Sequence, residues 1–119
     1  MGRWAQYRTR GRAGGEVSAF PLPAPVYDSD WVASGVLSEG LEILNVELLV
    51  ACPVPADGAW SQYSTDGETW LDGSNCSCGD VTEIVASLEA VDYYVRIRWQ
   101  TDGITPISDW SVPHLVPAV

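Results

Sequence analysis

The fold is indicated most clearly by the stretch Tyr93-Tyr94-Val95-Arg96-Ile97-Arg98-Trp99. Apolar and polar side chains alternate along it, and β-branched and aromatic residues dominate, which is typical of a β-strand with one buried face. Both Arg share the face opposite Val95 and Ile97. We therefore predict a strand that points Val95 and Ile97 into a core and points Arg96 and Arg98 outward.

A hairpin is predicted upstream of this strand. Asp66-Gly67 lies between Trp60-Ser61-Gln62-Tyr63 and Thr69-Trp70-Leu71, and Asp-Gly between two strand-forming runs is a strong hairpin signal. Pro and Gly interrupt the rest of the chain at short intervals, and many short strands separated by turns favour an antiparallel sandwich. The predicted fold class is all-β.

Two further segments fit either a strand or a helix. Residues 46–52 are apolar at alternate positions, but with the leucines at 41 and 44 they also match a helical period. Residues 81–88 show both spacings as well, with Ile84 and Ala86 on one face if the segment is a strand. The neighbouring strand signals favour strands in both cases. The expected inward-facing side chains are Val46, Leu48, Val50, Ile84, Leu88, Tyr93, Val95, Ile97 and Trp99.

Charge is distributed unevenly along the 119 residues. Residues 1–15 contain four Arg and no acidic residue, a formal charge of +4, whereas residues 16–119 contain two Arg and all 16 acidic residues, a charge of −14. An acidic body repels phosphate backbones, which argues against duplex nucleic acid as a partner. No apolar stretch approaches the ~20 residues of a membrane-spanning helix, so no membrane insertion is expected. No secretory signal is recognisable either, which predicts a protein made in the cytoplasm.

The chain is predicted to consist of an extended arm and one globular body. Residues 1–25 form the arm, which ends in the Pro-rich spacer Pro21-Leu22-Pro23-Ala24-Pro25, and residues 26–119 form the body. The arm interleaves Arg with aromatic residues, a mixture suited to stacking and bidentate contacts. Docking on a protein is favoured over binding of single-stranded nucleic acid and over a merely solvated terminus. The candidate docking residues are Arg3, Trp4, Tyr7, Arg8, Arg10 and Arg12.

The body resembles the fibronectin type III family of immunoglobulin-like β-sandwiches. The motif Tyr93-x-Val95-x-Ile97-x-Trp99 resembles strand F of that family, the segment 108–113 (Ser-Asp-Trp-Ser-Val-Pro) resembles its last strand, and residues 63–70 resemble its central hairpin. The resemblance covers residues 26–119. It implies a single antiparallel β-sandwich that follows the N-terminal arm.

The sequence departs from the family pattern at two places, and it also contains residues that resemble an Arg–Trp ladder found in some members. Cys52 stands where the family usually has a Trp, and the spacing between Leu88 and Tyr93 is one residue shorter than usual. The resemblance then implies that Trp60 or Trp99 fills the core in place of the missing indole. Arg96 and Arg98, with Trp110 on the neighbouring strand, resemble the Arg–Trp ladder of cytokine-receptor-type fibronectin domains, which stiffens the sheet.

No catalytic, metal-binding or cofactor-binding constellation is found in the sequence, so we expect no enzyme. Cys76 and Cys78 offer two thiols, with Cys52 and His114 as the remaining soft ligands, but structural zinc takes four ligands with a characteristic spacing. The resemblance brings Cys52 near the loop that holds Cys76 and Cys78, so a disulfide with either is an open alternative. A reducing cytoplasm favours free thiols. His114, near the C-terminus, is expected to be exposed.

The resemblance implies a structural function. A fibronectin-like domain with a docking arm and no secretory signal resembles the small accessory proteins of tailed bacteriophage virions, which are assembled in the host cytoplasm. The arm would anchor the protein to capsid, tail or baseplate proteins, and the acidic sandwich would project and aid host-surface adhesion. The alternative is a carbohydrate-binding or adhesion module, in which Trp60, Trp70 and Tyr94 contact a host-surface glycan or a partner.

Overall fold

The computed structural model describes residues 20–37, 44–87 and 89–119, which form eight β-strands and no helix. The strands are β1 (Trp31–Leu37), β2 (Leu44–Val50), β3 (Gly58–Ser64), β4 (Leu71–Ser77), β5 (Val81–Ser87), β6 (Tyr93–Thr101), β7 (Thr105–Pro106) and β8 (His114–Val116). The all-β prediction is therefore confirmed. Within the described ranges there is no helix that could span a membrane. Outside the described residues lie the predicted core residue Leu88 and the arm residues Arg3, Trp4, Tyr7, Arg8, Arg10 and Arg12.

The strands form two antiparallel sheets that pack against each other as a β-sandwich. One sheet has three strands in the order β1-β2-β5, and the other has five, with β4-β3-β6-β7 in order and β8 also paired to β6. β6 is central in the larger sheet, because it pairs with β3 on one side and with the short β7 and β8 on the other. The core lies between the two sheets.

The alternation along residues 93–99 is confirmed. The apolar side chains at 93, 95, 97 and 99 are buried, whereas Arg96 and Arg98 lie on the opposite face of the sheet. A shift of one residue in the pairing of β6 would exchange these two faces and bury both guanidinium groups. The burial of four large apolar side chains therefore fixes the register of the central strand.

Both ambiguous segments are strands, but only one keeps a regular alternation. β2 buries its apolar residues at alternate positions. In the pairing of β2 with β5 the register shifts between Val46 and Glu47, so Ile84 is the extra residue of a β-bulge. Ile84 and its neighbour Val85 are consequently both buried, and Ala86, which strand spacing placed with Ile84, is exposed.

The predicted hairpin joins β3 to β4. Gly67 has a φ of +77°, which glycine adopts without steric cost. One carboxylate oxygen of Asp66 accepts hydrogen bonds from the backbone N–H groups of Thr69 and Glu68 and from the hydroxyl of Ser64, each at 2.8 Å. These donors favour the ionised carboxylate and lower the pKa of Asp66 to about 2. The turn is therefore held by one side chain that satisfies three donors.

The two largest side chains of the core are buried indoles, and the sequence pattern predicted one of them. Trp99 fills the core as expected, and Trp31, the first residue of β1, is equally buried. Trp60 is instead half-buried on the outer face of the larger sheet. All predicted core residues that the structure describes are buried. The further buried hydrophobic side chains are Leu44, Ala59, Cys76, Val85, Ile107 and Val116.

The expectation of free thiols is wrong for two of the three cysteines. β2 and β5 are antiparallel neighbours, so the chain just after β2 lies beside the chain just before β5. There Cys52 and Cys78, with Cα atoms 5.5 Å apart, form a disulfide. Of the two pairings that the resemblance left open, the structure contains the one between Cys52 and Cys78. Cys76 is the free thiol; burial raises its pKa to about 11, so it is protonated at neutral pH.

The expectation that His114 is simply exposed is also wrong. Its ring stacks on the ring of Tyr27, with centroids 3.5 Å apart and planes at 16°. It also makes a T-shaped contact with Trp31, with ring centroids 6.3 Å apart. These rings close the side of the sandwich where β1 meets β8. Desolvation lowers the pKa of His114, and the negative charge of Asp28 acts in the opposite direction.

Candidate functional site

The outer face of the five-stranded sheet carries three half-buried Trp side chains among polar ones, and we call it the tryptophan face. Side chains alternate between the two faces of a strand, and β3 and β6 both point their odd-numbered residues into the core. Their even-numbered residues therefore point outward. Trp70, just before β4, Asp72, within β4, and Trp110, before β8, lie on the same face. The residues of the tryptophan face are Trp60, Gln62, Trp70, Asp72, Arg96, Arg98 and Trp110.

Four residues of this face form a continuous Arg–Trp stack in the order Trp70, Arg96, Trp110, Arg98. The guanidinium carbon of Arg96 lies 4.1 Å from the ring centre of Trp70 and 4.5 Å from that of Trp110. The guanidinium carbon of Arg98 lies 4.5 Å from the ring centre of Trp110. Each cation–π contact contributes about 0.5–1 kcal/mol at an exposed site and more where water is excluded. The stack therefore ties the hairpin to β6 and to the segment before β8.

A hydrogen-bond network orients the stack. The side-chain oxygen of Gln62 accepts hydrogen bonds from Nε and Nη2 of Arg96, at 3.1 and 2.6 Å. The amide nitrogen of Gln62 donates to Oδ1 of Asp72 at 3.1 Å, and the indole Nε1 of Trp60 donates to the same oxygen at 3.3 Å. One carboxylate oxygen on β4 thus orients an indole and an amide on β3, and through that amide a guanidinium on β6.

The electrostatics of the face differ between its two cations. Desolvation first, and the positive charge of Arg98 second, lower the pKa of Arg96 below its ordinary value. Nε of Arg98 is buried and has no hydrogen-bond partner. In the pairing of β3 with β6, Arg98 is directly opposite Trp60. The face therefore places an oriented indole opposite a cation whose Nε is enclosed in the fold without an acceptor.

The structure brings the predicted residues Trp60 and Trp70 to the same face but gives them different contacts. Trp70 stacks on Arg96, whereas Trp60 is held through its ring nitrogen. Tyr94 lies at the hairpin end of β6, and its ring packs over the turn. The ring is so close to Gly67 that a Cβ atom added to this glycine would lie 3.7 Å from a ring carbon of Tyr94. Tyr94 is thus engaged with the turn, and the tryptophan face keeps Trp60 as its candidate contact.

Sequence reasoning missed Gln62 and Asp72 as members of the site. The even-numbered positions of β3 were a usable signal for Gln62, because Trp60 and Gln62 share one face of a strand. No such signal existed for Asp72, because the pairing of β3 with β4 shifts its register between Trp60 and Gln62. The irregularity lets Asp72 lie opposite Gln62 and still reach Trp60.

A separate cavity of about 330 Å³ opens where the turn before β1 meets the ends of β2 and β5. Its lining residues are Asp28, Ser29, Asp30, Trp31, Val32, Leu49, Val50, Ala51 and Gly79. Val32 pairs with Leu49, and Leu49 pairs with Val81, so a row of exposed apolar side chains crosses the three-stranded sheet beside the cavity. Contiguous exposed apolar surface of this kind is typical of sites of protein contact.

The chemistry available on the tryptophan face is stacking and hydrogen bonding. Among the residues that the structure describes, no group of three or more His, Cys, Asp and Glu side chains could hold a metal ion. The one carboxylate at the centre of the face, that of Asp72, already accepts two hydrogen bonds. Comparison of the chain with protein-family models, curated proteins and solved structures finds no match.

Proposed function

We propose that the chain is a non-catalytic structural component of a tailed-phage virion, attached to capsid, tail or baseplate proteins through its N-terminal arm. In this proposal the acidic sandwich projects from the particle, which is assembled in the host cytoplasm, and aids adhesion to the host surface. The charge contrast between arm and body carries the proposal. Residues 1–15 have a formal charge of +4, against −14 for residues 16–119.

The two Arg side chains of the body contact other side chains of their own fold. Both of its Arg residues, Arg96 and Arg98, stack on Trp110, and Arg96 is held further by Gln62. The other four Arg lie in residues 1–15, where there is no acidic residue. Guanidinium groups suit bidentate contacts with carboxylates and contacts with backbone carbonyls. The arm is therefore the part of the chain best suited to docking on another protein.

The strand arrangement supports the fibronectin type III resemblance on which this function is based. β2 neighbours β5, β3 neighbours β6, and the last strand runs beside β6, which is the pattern of immunoglobulin-like sandwiches. The Arg–Trp stack adds the counterpart of the ladder found in cytokine-receptor-type members. A stack of this kind stiffens a sheet, and a stiff sandwich suits a module that projects from a particle.

A carbohydrate-binding or adhesion module is a second candidate, and Trp60 favours it. Its ring is half-buried on an open sheet face, and a hydrogen bond to Asp72 fixes the ring nitrogen. An oriented indole is a suitable platform for the apolar face of a sugar ring. The two candidates are compatible, because a module that projects from a virion would meet host-surface glycans.

Purified particles test the virion proposal. We expect the protein to co-sediment with virions produced from the genome that encodes it, at a constant copy number per particle by mass spectrometry. Electron microscopy of particles from a strain lacking the gene should show the loss of a discrete density on the capsid, tail or baseplate. A protein found free in the lysate and absent from washed particles would overturn the proposal.

A further inference from the structure

The tryptophan face concentrates the positive charge of an otherwise acidic body. Arg96 and Arg98 are the two basic residues among residues 16–119, which include 16 acidic residues, and both lie on this face. Both guanidinium groups contact the ring of Trp110, so two like charges are held close together. The acceptor for Arg96 is the neutral amide of Gln62, which does not cancel its charge. A bound anion would relieve the repulsion between these two cations.

The two cations are not equally available to a ligand. Arg96 is covered by Trp70 and Trp110, and Gln62 accepts hydrogen bonds from two of its nitrogens. Among the described residues, Arg98 stacks on Trp110 alone; its Nε, which has no hydrogen-bond partner, is buried and faces away from a ligand on the open face. Because a guanidinium carries five N–H donors, one that stacks on a single ring keeps more of them for a ligand than one held between two rings and an amide oxygen. Arg98 is therefore the cation suited to an anionic ligand.

Trp60 supplies a stacking surface beside Arg98. The two residues are directly opposite each other in the antiparallel pairing of β3 and β6, which places their Cβ atoms about 5 Å apart. The hydrogen bond from the indole nitrogen to Asp72 holds the ring in one orientation. A ligand with a flat apolar face and an adjacent acid group could therefore contact both side chains at once.

We propose that Trp60 and Arg98 bind a carboxylated pyranose, that is, a uronic acid residue of an acidic polysaccharide. The C–H face of the sugar ring stacks on Trp60, and the carboxylate accepts hydrogen bonds from Arg98, whose planar fork matches it. The inference deepens the carbohydrate-binding candidate and rests on it. It does not involve the arm, so it can fail while the virion proposal holds, and the reverse is also true.

An acidic peptide is the competing ligand, and the geometry favours the sugar. Trp60 and Arg98 are cross-strand neighbours on an open sheet face, so one sugar ring and its own carboxylate can span them. A peptide rich in Asp and Glu would bring several further charges toward residues 16–119, which have a formal charge of −14. A ligand with one carboxylate per sugar ring gains the contact with Arg98 and adds less repulsion.

Calorimetric titration of the full-length protein tests the inference. The ligands are trigalacturonic acid, galactotriose as the neutral match, a sulfated galactotriose without carboxylates, and a hexa-aspartate peptide. We expect trigalacturonic acid to bind at least tenfold more tightly than each of the other three. Arg98→Gln should weaken its binding by about ten- to hundredfold, to the level of galactotriose, because a charged hydrogen-bonding partner is lost. Trp60→Leu should weaken the binding of trigalacturonic acid and of galactotriose alike.

Three controls keep the result interpretable. Glu47→Gln, on the other sheet, removes one charge and should leave binding unchanged. Arg98→Lys keeps the charge without the planar fork and should recover only part of the affinity. Near-ultraviolet circular dichroism establishes that each variant is folded. Equal binding of trigalacturonic acid and galactotriose, no binding of trigalacturonic acid, unchanged binding by folded Arg98→Gln, or tighter binding of the sulfated sugar or the peptide would each overturn the inference.

Discussion

The guanidinium carbon of Arg96 lies 4.1 Å from the ring centre of Trp70. This contact joins the start of β4 to the centre of β6. β3 lies between these two strands in the sheet, so the contact bridges across a strand that carries neither residue. The sequence suggested Trp70 as a contact for a glycan or a partner. In the structure its indole stacks on Arg96 of the same chain, so the two side chains should stabilise each other.

A double-mutant cycle should detect coupling between Trp70 and Arg96. We expect Trp70→Leu and Arg96→Gln each to lower the free energy of unfolding, and the double variant to lose less than the sum by about 0.5–1 kcal/mol, because a cation–π contact is counted twice in the single variants. Urea unfolding followed by circular dichroism measures all four proteins. Additive losses would show that the two side chains do not stabilise each other.

Burial on β6 predicts a strong contrast between two chemically identical substitutions. Val95 is completely buried, so Val95→Ala should lower the free energy of unfolding by about 1–3 kcal/mol. Val32 is 41% exposed on the outer face of the smaller sheet, so Val32→Ala should change it by less than about 0.5 kcal/mol. Urea denaturation gives both values. Equal losses would mean that the register of β6 is not the one described.

His114 should make the sandwich less stable in mild acid. Burial lowers its pKa in the folded state below the ordinary value of 6.5, so the unfolded chain binds the proton more readily. Its contribution to stability is complete above pH 6.5 and is lost as the pH falls from there through the folded-state pKa. His114→Phe keeps a ring that can stack on Tyr27 but cannot take up a proton.

Urea unfolding between about pH 5 and pH 8 tests whether stability falls with pH as predicted. The wild-type protein should lose more stability than His114→Phe as the pH falls. Asp66 does not interfere, because its pKa is lowered from 3.8 to about 2, so its contribution to stability is lost only in stronger acid. Parallel pH profiles for the two proteins would contradict the burial of the imidazole.

The disulfide between Cys52 and Cys78 should be a main source of stability. It closes a segment with a sequence separation of 26 residues, and closing such a segment stabilises the folded state by about 3 kcal/mol. Cys52→Ser should lower the free energy of unfolding by this amount, and a reductant should do the same to the wild-type protein. A reductant should have no further effect on the variant; a substantial further loss would contradict the pairing.

The central strand and the hairpin could be predicted because their signals are local. β6 is paired on both sides and buried on one face, so its alternation appears directly in residues 93–99. The Asp-Gly turn is likewise determined by its own side chains. β1 gave no comparable signal, because the inward-pointing residues that follow Trp31 are Ala33 and Gly35, which are too small to show a hydrophobic period.

The features that were missed or left open depend on contacts between distant segments. The pairing of Cys52 with Cys78 follows from the alignment of two strand ends, and the stack of His114 on Tyr27 joins two ends of the described body. On the tryptophan face, by contrast, the resemblance did place Trp110 beside the two Arg residues, but nothing indicated Asp72. The position of Asp72 depends on a register shift between β3 and β4 that no local pattern encodes.

Incorporation of an arm-deleted protein into virions tests the central claim most directly. Deleting residues 1–20 should leave the melting temperature almost unchanged, because the buried hydrophobic cluster of the described residues runs from Trp31 to Val116, yet occupancy in purified particles should fall to background. Replacing the four Arg of the arm by Glu should have nearly the same effect, whereas Trp60→Ala should not. Full occupancy of the shortened protein would contradict the arm-anchored account and make the sandwich itself, beginning with the apolar row at Val32, Leu49 and Val81, the docking surface.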